Sequence, residues 1–239
     1  MAQYLAFSGG KDSTVMAYRM KEQGELFSLL FTATGRELPE LHAHIARVVA
    51  DLGVELITPP GPSLISLIEG YNTLPSFHLR FCTRQTKIVP CIAYLKRNPG
   101  STLCVGLRAD EDTRVGLYGD YANYRYPLRE WGMDQAAVWA YLRNKGIKVP
   151  KRTDCDFCPF QRLYEWHDLW REHPENYASS EALEAKTGHT FRSAQRDTWP
   201  AALKDMRVRF EAGDVPKRRR LHVTQGEDTG QQACRVCRG

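Results

Sequence analysis

The chain has 239 residues, of which 42% are hydrophobic and 26% are charged, and its formal net charge is +5 at pH 7. A chain of this length can bury one sizeable core, and it has no stretch apolar and long enough to cross a membrane, which excludes an integral membrane protein. The small excess of positive charge suits anionic ligands, such as nucleotides or nucleic acid, without choosing between them.

The first hundred residues alternate between strand and helix patterns. Short apolar, β-rich runs predict strands at residues 3–7, 26–32, 54–57 and 102–107. Helices are predicted at residues 12–23, ended by Gly24, and at a segment ended by Gly53 whose apolar face carries Leu38, Leu41, Ile45, Val48, Val49 and Leu52. Strands separated by helices predict an α/β fold, with a parallel sheet and helices on both faces.

The second half of the chain follows a different pattern. Residues 108–126 read as a charged, tyrosine-rich loop, residues 134–145 as a helix, and residues 161–186 as helical segments rich in tryptophan. From residue 213 the chain is polar and basic, and we predict a mobile tail that ends in Cys-x-x-Cys. The predicted parts are an α/β domain at residues 1–150, a small cysteine-bearing helical lid at residues 151–212 and the tail at residues 213–239.

The turn after the first predicted strand has the residues of an anion-binding loop, Ser8-Gly9-Gly10-Lys11-Asp12-Ser13. The glycines let the backbone approach a ligand closely, and the first N–H groups of the following helix point towards it. The serines add hydroxyl donors, Lys11 adds a positive charge, and Asp12 can hold Mg²⁺ beside phosphates. The spacing differs from that of the Walker loop. The alternative, a solvated turn, is disfavoured by the position at the first strand–helix junction.

This loop resembles the PP-loop of the ATP pyrophosphatases, and in particular that of the phosphoadenylyl-sulfate (PAPS) reductase-like branch. Four further segments resemble motifs of that branch in the same order, namely Thr34-Gly35-Arg36-Glu37-Leu38-Pro39-Glu40, Cys82-Thr83-Arg84-Gln85-Thr86-Lys87-Ile88-Val89-Pro90, Gly106-Leu107-Arg108-Ala109-Asp110-Glu111-Asp112-Thr113-Arg114 and Cys155-Asp156-Phe157-Cys158-Pro159. The likeness spans residues 1–185, and an ordered set of motifs is far more specific than any one of them. It implies an adenine nucleotide alpha hydrolase-like (HUP-type) fold.

The resemblance also implies which residues bind the nucleotide. The expected set is Ser8, Gly9, Gly10, Lys11, Asp12, Ser13, Thr34, Gly35, Glu37, Arg108, Glu111 and Arg114. Within it, Lys11, Asp12 and Arg108 are expected to be catalytic. The guanidinium groups of Arg108 and Arg114 can each clamp a phosphate or sulfate at two points, and their loop follows the carboxyl end of a strand, where ligands bind in α/β folds. The alternative is that Glu111 and these arginines form only a solvated loop network.

The cysteines predict a metal centre. No signal-peptide pattern precedes the first strand, so we expect a cytoplasmic protein whose seven cysteines are thiols or metal ligands rather than disulfides. In the iron–sulfur reductases of the branch, a Cys-Cys pair before the Lys-x-x-Pro helix and a later Cys-x-x-Cys hold a [4Fe-4S] cluster. Here the matching ligands are Cys82, Cys155 and Cys158, and the fourth is open, with Cys234 or Cys237 as candidates.

Zinc is the alternative metal, because the pairs Cys155/Cys158 and Cys234/Cys237 form a complete four-thiolate set. The match of Cys82 to the family favours iron–sulfur over zinc. The two remaining cysteines, Cys91 and Cys104, lie in apolar patterns and are predicted to be buried packing residues.

Two departures from the branch bear on the reaction. Sulfonucleotide reductases carry a C-terminal Glu-Cys-Gly-[Ile/Leu]-His, which this chain lacks, and Ala33 stands where the family has Asp before Thr-Gly. The leading hypothesis is therefore an enzyme that cleaves ATP to AMP and pyrophosphate, and so transfers sulfur to a nucleic acid or metabolite or otherwise modifies it. The alternatives are an adenylyl sulfate or PAPS reductase that produces sulfite, and a zinc-containing nucleic-acid-binding protein with a degenerate nucleotide site.

The expected partners follow from these hypotheses. An adenine nucleotide is the main ligand, a sulfur donor protein is a candidate partner, and the basic run at residues 217–220 is a candidate contact for nucleic acid. The sequence is compatible with a homodimer and does not specify the oligomeric state.

Two groups of side chains on the predicted helices receive plainer interpretations. His42 and His44 do not share a helix face, and we interpret both as surface residues. Trp166, Trp170 and Tyr177 are predicted to pack a small helical lid, with base stacking as the alternative.

Overall fold

One parallel sheet organises the chain. Across residues 2–116 and 118–217, which the computed structural model describes, the sheet has five strands in the order β3-β2-β1-β4-β5. The strands are β1 Gln3–Ala6, β2 Ser28–Leu30, β3 Leu56–Ile57, β4 Thr102–Cys104 and β5 Asn123–Arg125. Every neighbouring pair is parallel, which confirms the predicted α/β fold with a parallel sheet.

The sequence does not predict β5. Its three residues, Asn-Tyr-Arg, lie inside the segment interpreted as a loop and have no apolar run of their own. They become a strand by pairing with β4, where Thr102 lies opposite Asn123 and Cys104 lies opposite Arg125. A short edge strand depends on backbone bonds to its neighbour, so its own sequence pattern carries little signal.

Helices connect the strands and follow the sheet. Their bounds are α1 Lys11–Glu22, α2 Pro39–Leu52, α3 Leu64–Tyr71, α4 Phe81–Thr83, α5 Val89–Arg97, α6 Pro127–Glu130, α7 Gln135–Asn144, α8 Leu163–Glu172, α9 Pro174–Thr187 and α10 Leu203–Glu211. A π-helical turn at Arg84–Ile88 joins α4 to α5, and short 3₁₀ turns lie at Ala109–Glu111 and Gly119–Tyr121. Within the described part of the chain, no helix is both long and apolar enough to span a bilayer.

Alternate residues of the central strands point to opposite faces of the sheet, and helices cover both faces. On one face, Leu5 and Leu29 pack with buried residues of α1, α2 and α7. On the other face, Tyr4 and Leu30 pack with Leu95 of α5. Because both faces are buried, the loops at the carboxyl ends of the strands are the part of the sheet that remains open to a ligand.

The helices that follow the sheet build a second core, which we call the lid core. Its buried members are Leu38, Leu64, Ile68, Leu74, Phe157, Trp166, Leu169, Tyr177, Leu183, Phe191, Leu203, Met206 and Phe210. Trp170 packs against the same group, so the predicted packing role of the aromatic residues is confirmed. The lid core includes residues of α3, so the C-terminal helices share their core with a helix of the first 150 residues. The domain boundaries at residues 150 and 212 stay predictions, and the tail from residue 218 lies outside the described residues.

A buried ion pair ties the loop after β2 to the cysteine-bearing segment. The guanidinium of Arg36 meets the carboxylate of Asp156 at two points, with Nε to Oδ1 at 3.0 Å and Nη2 to Oδ2 at 2.6 Å. Asn176 of α9 donates to the same carboxylate at 2.6 Å, and the Asp156 N–H donates to the Arg36 carbonyl at 3.0 Å. Burial raises the pKa of Asp156, while Asn176 and Arg36 oppose the shift. This ion pair, which we call the Arg36–Asp156 clasp, therefore joins the sheet, the cysteine segment and the lid.

The turn from β1 into α1 is closely packed against α2. Gly9 has a φ of +69°, in the left-handed region, and a Cβ added there would lie 2.4 Å from Cδ1 of Leu41. Only glycine satisfies both the backbone angle and the space. The turn thus holds residues 8–13 directly against the helix behind them.

We predict that Gly9→Ala lowers the free energy of unfolding by more than Gly24→Ala. Gly24 has a similar φ of +73° but nothing within 4 Å of an added Cβ, so its variant carries only the left-handed backbone cost of about 1–2 kcal/mol. Gly9→Ala adds the overpacking against Leu41, about 1–3 kcal/mol more. Urea denaturation of the two variants measures the difference, and equal losses would contradict this packing account.

Candidate active site

The loop from Ser8 to Ser13 is closed by its own hydroxyl groups. Ser13 Oγ donates to the Gly10 carbonyl at 3.1 Å, accepts from the Ser8 N–H at 3.3 Å and lies 3.2 Å from Ser8 Oγ. The Thr14 N–H donates to the Gly10 carbonyl at 2.9 Å and makes the first bond of α1. The N–H groups that precede it have no partner within the helix and carry the positive end of its dipole. The loop is therefore shaped as an anion cradle.

Asp12 is the charged centre of this cradle. Lys11 Nζ lies 2.8 Å from Asp12 Oδ2, and Arg108 Nη1 lies 3.2 Å from the same oxygen. Asp12 Oδ1 is buried and has no hydrogen-bond partner among the described residues. One carboxylate oxygen thus holds two cations, while the other is left for a ligand or a bound ion.

Arg108 does not take the position expected of a phosphate clamp. Its Nε and Nη2 atoms donate to the carboxylate of Asp110 at 2.9 and 3.1 Å, and Nη1 lies 3.7 Å from Glu111. Burial acts to lower the pKa of Arg108, but the bonds to Asp110 and the charges of Asp12 and Glu111 outweigh it and raise the pKa. The side chain is 3% exposed and does not line the cleft. The structure thus pairs Arg108 with Asp12, Asp110 and Glu111, and its predicted role in binding the nucleotide stays a prediction.

Glu111 and Arg114 do line the cleft. They form an ion pair with each other, and Glu111 Oε2 accepts the Arg108 N–H at 3.2 Å. Arg129 fixes this loop from behind by donating to the carbonyls of Glu111 and Arg114, the latter at 2.7 Å. Sequence reasoning missed Arg129, because the residue lies on α6, outside every motif. Of the two predicted clamps, Arg114 is the one placed to meet an anion.

Glu37 shapes the loop after β2. Its Oε1 accepts from both the N–H and the hydroxyl of Thr34 at 2.7 Å, and its Oε2 accepts from the Gly35 N–H at 3.0 Å. Glu37 lines the cleft, whereas Thr34 and Gly35 do not. The conformation of the Thr34–Glu37 segment is thus set by its own carboxylate.

The cleft joins an apolar compartment to the anion cradle. Its apolar lining comes from the carboxyl ends of β1, β2 and β4 and from the helical segment opposite, and comprises Ala6, Phe7, Leu30, Phe31, Ile88, Cys91, Val105, Leu107, Val115 and Tyr118. Its polar end is lined by Ser8, Gly10, Lys11, Asp12, Ser13, Lys87, Arg114, Lys151, Arg152 and Asp154. A ligand with an apolar ring system and several negative charges matches this arrangement.

The three cysteines expected to bind metal do not line the cleft, although Thr83 and Asp154, the sequence neighbours of Cys82 and Cys155, do. Cys82 and Cys155 both pack against the lid core, and the Cys158 N–H donates to the Cys155 carbonyl at 3.2 Å. Burial raises the pKa of Cys155 to about 12, the charge of Lys87 opposes this shift, and the charge of Cys82 adds to it. Burial also raises the pKa of Cys158 well above its usual value.

These thiols fit a thiophilic metal centre in their donor chemistry. In the described part of the chain, however, no group of three or more His, Cys, Asp or Glu side chains is arranged as a metal-ligand set. The candidate fourth ligands, Cys234 and Cys237, lie outside the described residues. Cys91 and Cys104 are buried, and burial raises the pKa of each to about 12, which confirms their predicted packing role.

The interpretation of His44 as a surface residue is wrong. His44 is 1% exposed, its Nε2 lies 3.0 Å from Thr14 Oγ1, and its Nδ1 lies 2.9 Å from an Nη2 nitrogen of Arg47. Because arginine only donates, Nδ1 is the acceptor and Nε2 carries the proton. His44 lies three residues after Leu41 on the buried face of α2, and this spacing was the signal that sequence reasoning missed. His42 is exposed, as predicted.

The buried state of His44 predicts a pH-dependent stability. Burial and the charge of Arg47 lower its pKa from 6.5 to about 4, so the unfolded chain binds a proton in this range that the folded chain refuses. The contribution of the neutral His44 to the free energy of unfolding is fully present above pH 6.5 and is lost as the pH falls towards 4. His44→Gln should therefore show a smaller loss of unfolding free energy than the parent protein between neutral and acidic pH. His42→Gln is the matched control, and identical pH profiles for the parent protein and His44→Gln would contradict the assignment.

The family model of the phosphoadenosine phosphosulfate reductase domain matches residues 2–157. No curated protein matches the chain at a significant level.

Solved structures share the fold at low sequence identity. A PAPS reductase from Candida auris in a phosphate complex has a TM-score of 0.50 and 17% identity, and the match covers 62% of this chain and 75% of that chain. The U34-tRNA thiolase NcsA from Methanococcus maripaludis with its [4Fe-4S] cluster has a TM-score of 0.47 and 16% identity, and covers 100% of this chain and 80% of that chain. Such identities bear on the fold alone. The family model covers well over half of the chain, and the chain therefore belongs to the phosphoadenosine phosphosulfate reductase domain family of the PP-loop ATP pyrophosphatase superfamily.

Proposed function

We propose that this chain is an ATP-dependent sulfur-transfer enzyme. In the first step an oxygen of the acceptor attacks the α-phosphorus of ATP, the bond to the bridging oxygen breaks, and pyrophosphate leaves. In the second step a sulfur nucleophile, supplied by a sulfur donor protein, attacks the acceptor carbon and AMP leaves with the oxygen. The observation that carries the proposal is a cleft that contains an intact PP-loop and is also lined by Thr83 and Asp154, the sequence neighbours of Cys82 and Cys155.

The loop is suited to the departure of pyrophosphate. The N–H groups at the start of α1 and the ammonium of Lys11 face the place where negative charge develops, which is the electrostatic task of the first step. Asp12 Oδ1, buried and without a hydrogen-bond partner, is a ready ligand for Mg²⁺, which would neutralise phosphate charge when bound. Arg108 acts as a positioning residue, because its contacts hold Asp12 rather than the nucleotide.

The apolar compartment is suited to the adenosine. Leu30 ends β2 and Phe31 follows it, Val105 follows β4, and Tyr118 also lines this part of the cleft. A base held here would place its phosphates over residues 8–13.

The three cysteines Cys82, Cys155 and Cys158 are suited to sulfur chemistry. We assign Cys82, Cys155 and Cys158 as ligands of a [4Fe-4S] cluster, with the fourth ligand from Cys234 or Cys237 or from outside the protein. A cluster with one open iron would hold a sulfur atom for transfer. The nearby Lys87 lines the cleft and lowers the pKa of Cys155 against the effect of burial, so it favours the thiolate that a metal requires.

Reduction of PAPS or adenylyl sulfate to sulfite is the second candidate. The family model favours it, because that model describes the reductase domain. The missing Glu-Cys-Gly-[Ile/Leu]-His motif removes the nucleophile that this reaction uses in the branch. We therefore rank it below ATP-dependent transfer.

We predict that the parent protein converts ATP to AMP and pyrophosphate and that Lys11→Ala lowers this turnover by about 10²–10³-fold. The assay offers ATP, adenylyl sulfate and PAPS in parallel under anaerobic conditions, with bulk cellular RNA as acceptor and sulfide as the sulfur source. Lys21→Ala, an exposed position on the same helix, should leave turnover unchanged. Full activity of Lys11→Ala would reject the PP-loop assignment, and thioredoxin-dependent release of sulfite without ATP would promote the reductase.

We also predict that anaerobically purified protein is brown and contains iron and acid-labile sulfide. Cys82→Ser should remove most of the iron, because Cys82 has no role in a zinc site built from the two Cys-x-x-Cys pairs. Cys104→Ala, a buried thiol of the sheet core, should retain the iron and serves as the control. Colourless protein with stoichiometric zinc that is lost in Cys234→Ser and retained in Cys82→Ser would overturn the cluster and favour the zinc alternative.

A further inference from the structure

Four side chains near Cys82 and Cys158 in the sequence or in contact with that segment form a partly exposed surface. We call this surface the aromatic–arginine patch, and its members are Phe77, Arg80, Phe160 and Arg196. A tight turn builds it, in which the Leu79 N–H donates to Ser76 Oγ at 3.0 Å and the Ser76 N–H donates to the Leu79 carbonyl at 3.1 Å. The turn holds the phenyl ring of Phe77 48% exposed. The turn thus keeps a large apolar ring at the surface, beside the other three side chains of the patch.

A guanidinium group lies over each of the two rings of the patch. The centroids of Phe77 and Phe160 lie 4.5 Å apart with an interplanar angle of 66°. Arg196 Cζ lies 5.2 Å from the Phe77 centroid, and Arg80 Cζ lies 5.2 Å from the Phe160 centroid. The patch therefore combines aromatic faces with planar cations, which is the pairing that stacks nucleobases and attracts phosphates.

The patch is continuous with the candidate active site along the backbone. Arg80 directly precedes α4, which carries Cys82, and Phe160 follows Cys158 by two residues. Arg196 reaches the same segment by donating to the Pro159 carbonyl at 3.5 Å. A polymer seated on the patch would thus run beside the thiols, while Thr83 and Lys87 of the same helical segment face into the cleft.

We infer that the patch binds single-stranded nucleic acid, with unpaired bases stacked on Phe77 and on the guanidinium planes. Duplex bases are already stacked and paired, so they cannot insert between these groups. A second copy of the chain would bring like charges face to face across a two-fold axis, which disfavours it. The inference deepens the proposed function, on which it rests for the idea that the bound strand is the sulfur acceptor. Binding itself can be measured without any turnover.

The test is fluorescence anisotropy with a 5′-labelled single-stranded RNA of about 12 nucleotides, titrated with the full chain without ATP. Phe77→Ala should weaken binding about tenfold, as expected for the loss of one stacked base, and Arg196→Ala should also weaken it. Phe77→Trp should retain binding, because indole also stacks, whereas Phe77→Leu should lose as much as Phe77→Ala. A DNA strand of the same sequence distinguishes the two kinds of nucleic acid.

The control removes a similar pair elsewhere on the surface. Tyr121 is 43% exposed and lies under Lys96, whose Nζ is 4.5 Å from the ring centroid, and Tyr121→Ala should bind RNA like the parent protein. Thermal unfolding checks that each variant is folded.

Three results would overturn the inference: parental affinity in Phe77→Leu, equal affinity for the duplex, or a dimer in sedimentation that Phe77→Ala dissociates. Binding as expected, without sulfur incorporation into RNA given ATP and sulfide, would reject the acceptor role and leave the binding site standing. If Phe77→Ala binds RNA with unchanged affinity and sulfur incorporation persists, the binding site would be rejected and the acceptor role would stand.

Discussion

The contact between the Gly9 turn and α2 is the constraint on which the site depends. The backbone of Gly9 approaches Leu41 so closely that no side chain fits, and His44 supports the same turn through Thr14 at the start of α1. These contacts fix the direction in which α1 leaves the sheet. The N–H groups at its first turn therefore point into the cleft, and the anion cradle is present before any ligand arrives.

Charge is distributed around this cradle in a way that the motifs alone do not reveal. Asp12 gathers Lys11 and Arg108 onto one carboxylate oxygen, and Arg108 is further held by Asp110. Because Lys11 and Arg108 are already paired, the N–H groups at the start of α1 are a further source of positive charge for a ligand. The Arg36–Asp156 clasp adds a second level, since it sets the distance between the cradle and the cysteine segment.

Sequence reasoning predicted the parts of the site that depend on local pattern. Four of the five strands and the glycine turn depend on short sequence segments, and these strands lie within the predicted ranges. It did not predict contacts that depend on packing between distant segments. The pairing of Arg108 with Asp12 and Asp110 was not predicted, because these residues come together only in the fold. His44 looked exposed because its neighbour His42 is, and Arg129 has no motif to mark it.

The aromatic–arginine patch is another contact between distant segments that the sequence did not predict. Phe77 and Phe160 are 83 positions apart in the sequence, and neither segment has a pattern that predicts the contact between their rings. The patch exists because the lid brings the segment after Cys158 against the turn before α4. The lid thus does more than cover a core, since it assembles a surface next to the thiols.

The most direct test of the central claim is a crystal structure of the protein with α,β-methylene ATP, in which a carbon replaces the bridging oxygen and prevents cleavage. The account predicts phosphate oxygens within about 3.2 Å of the N–H groups at the start of α1, with the adenine beside Leu30 and Val105. A triphosphate bound away from residues 8–13, or an adenine outside the apolar compartment, would contradict it.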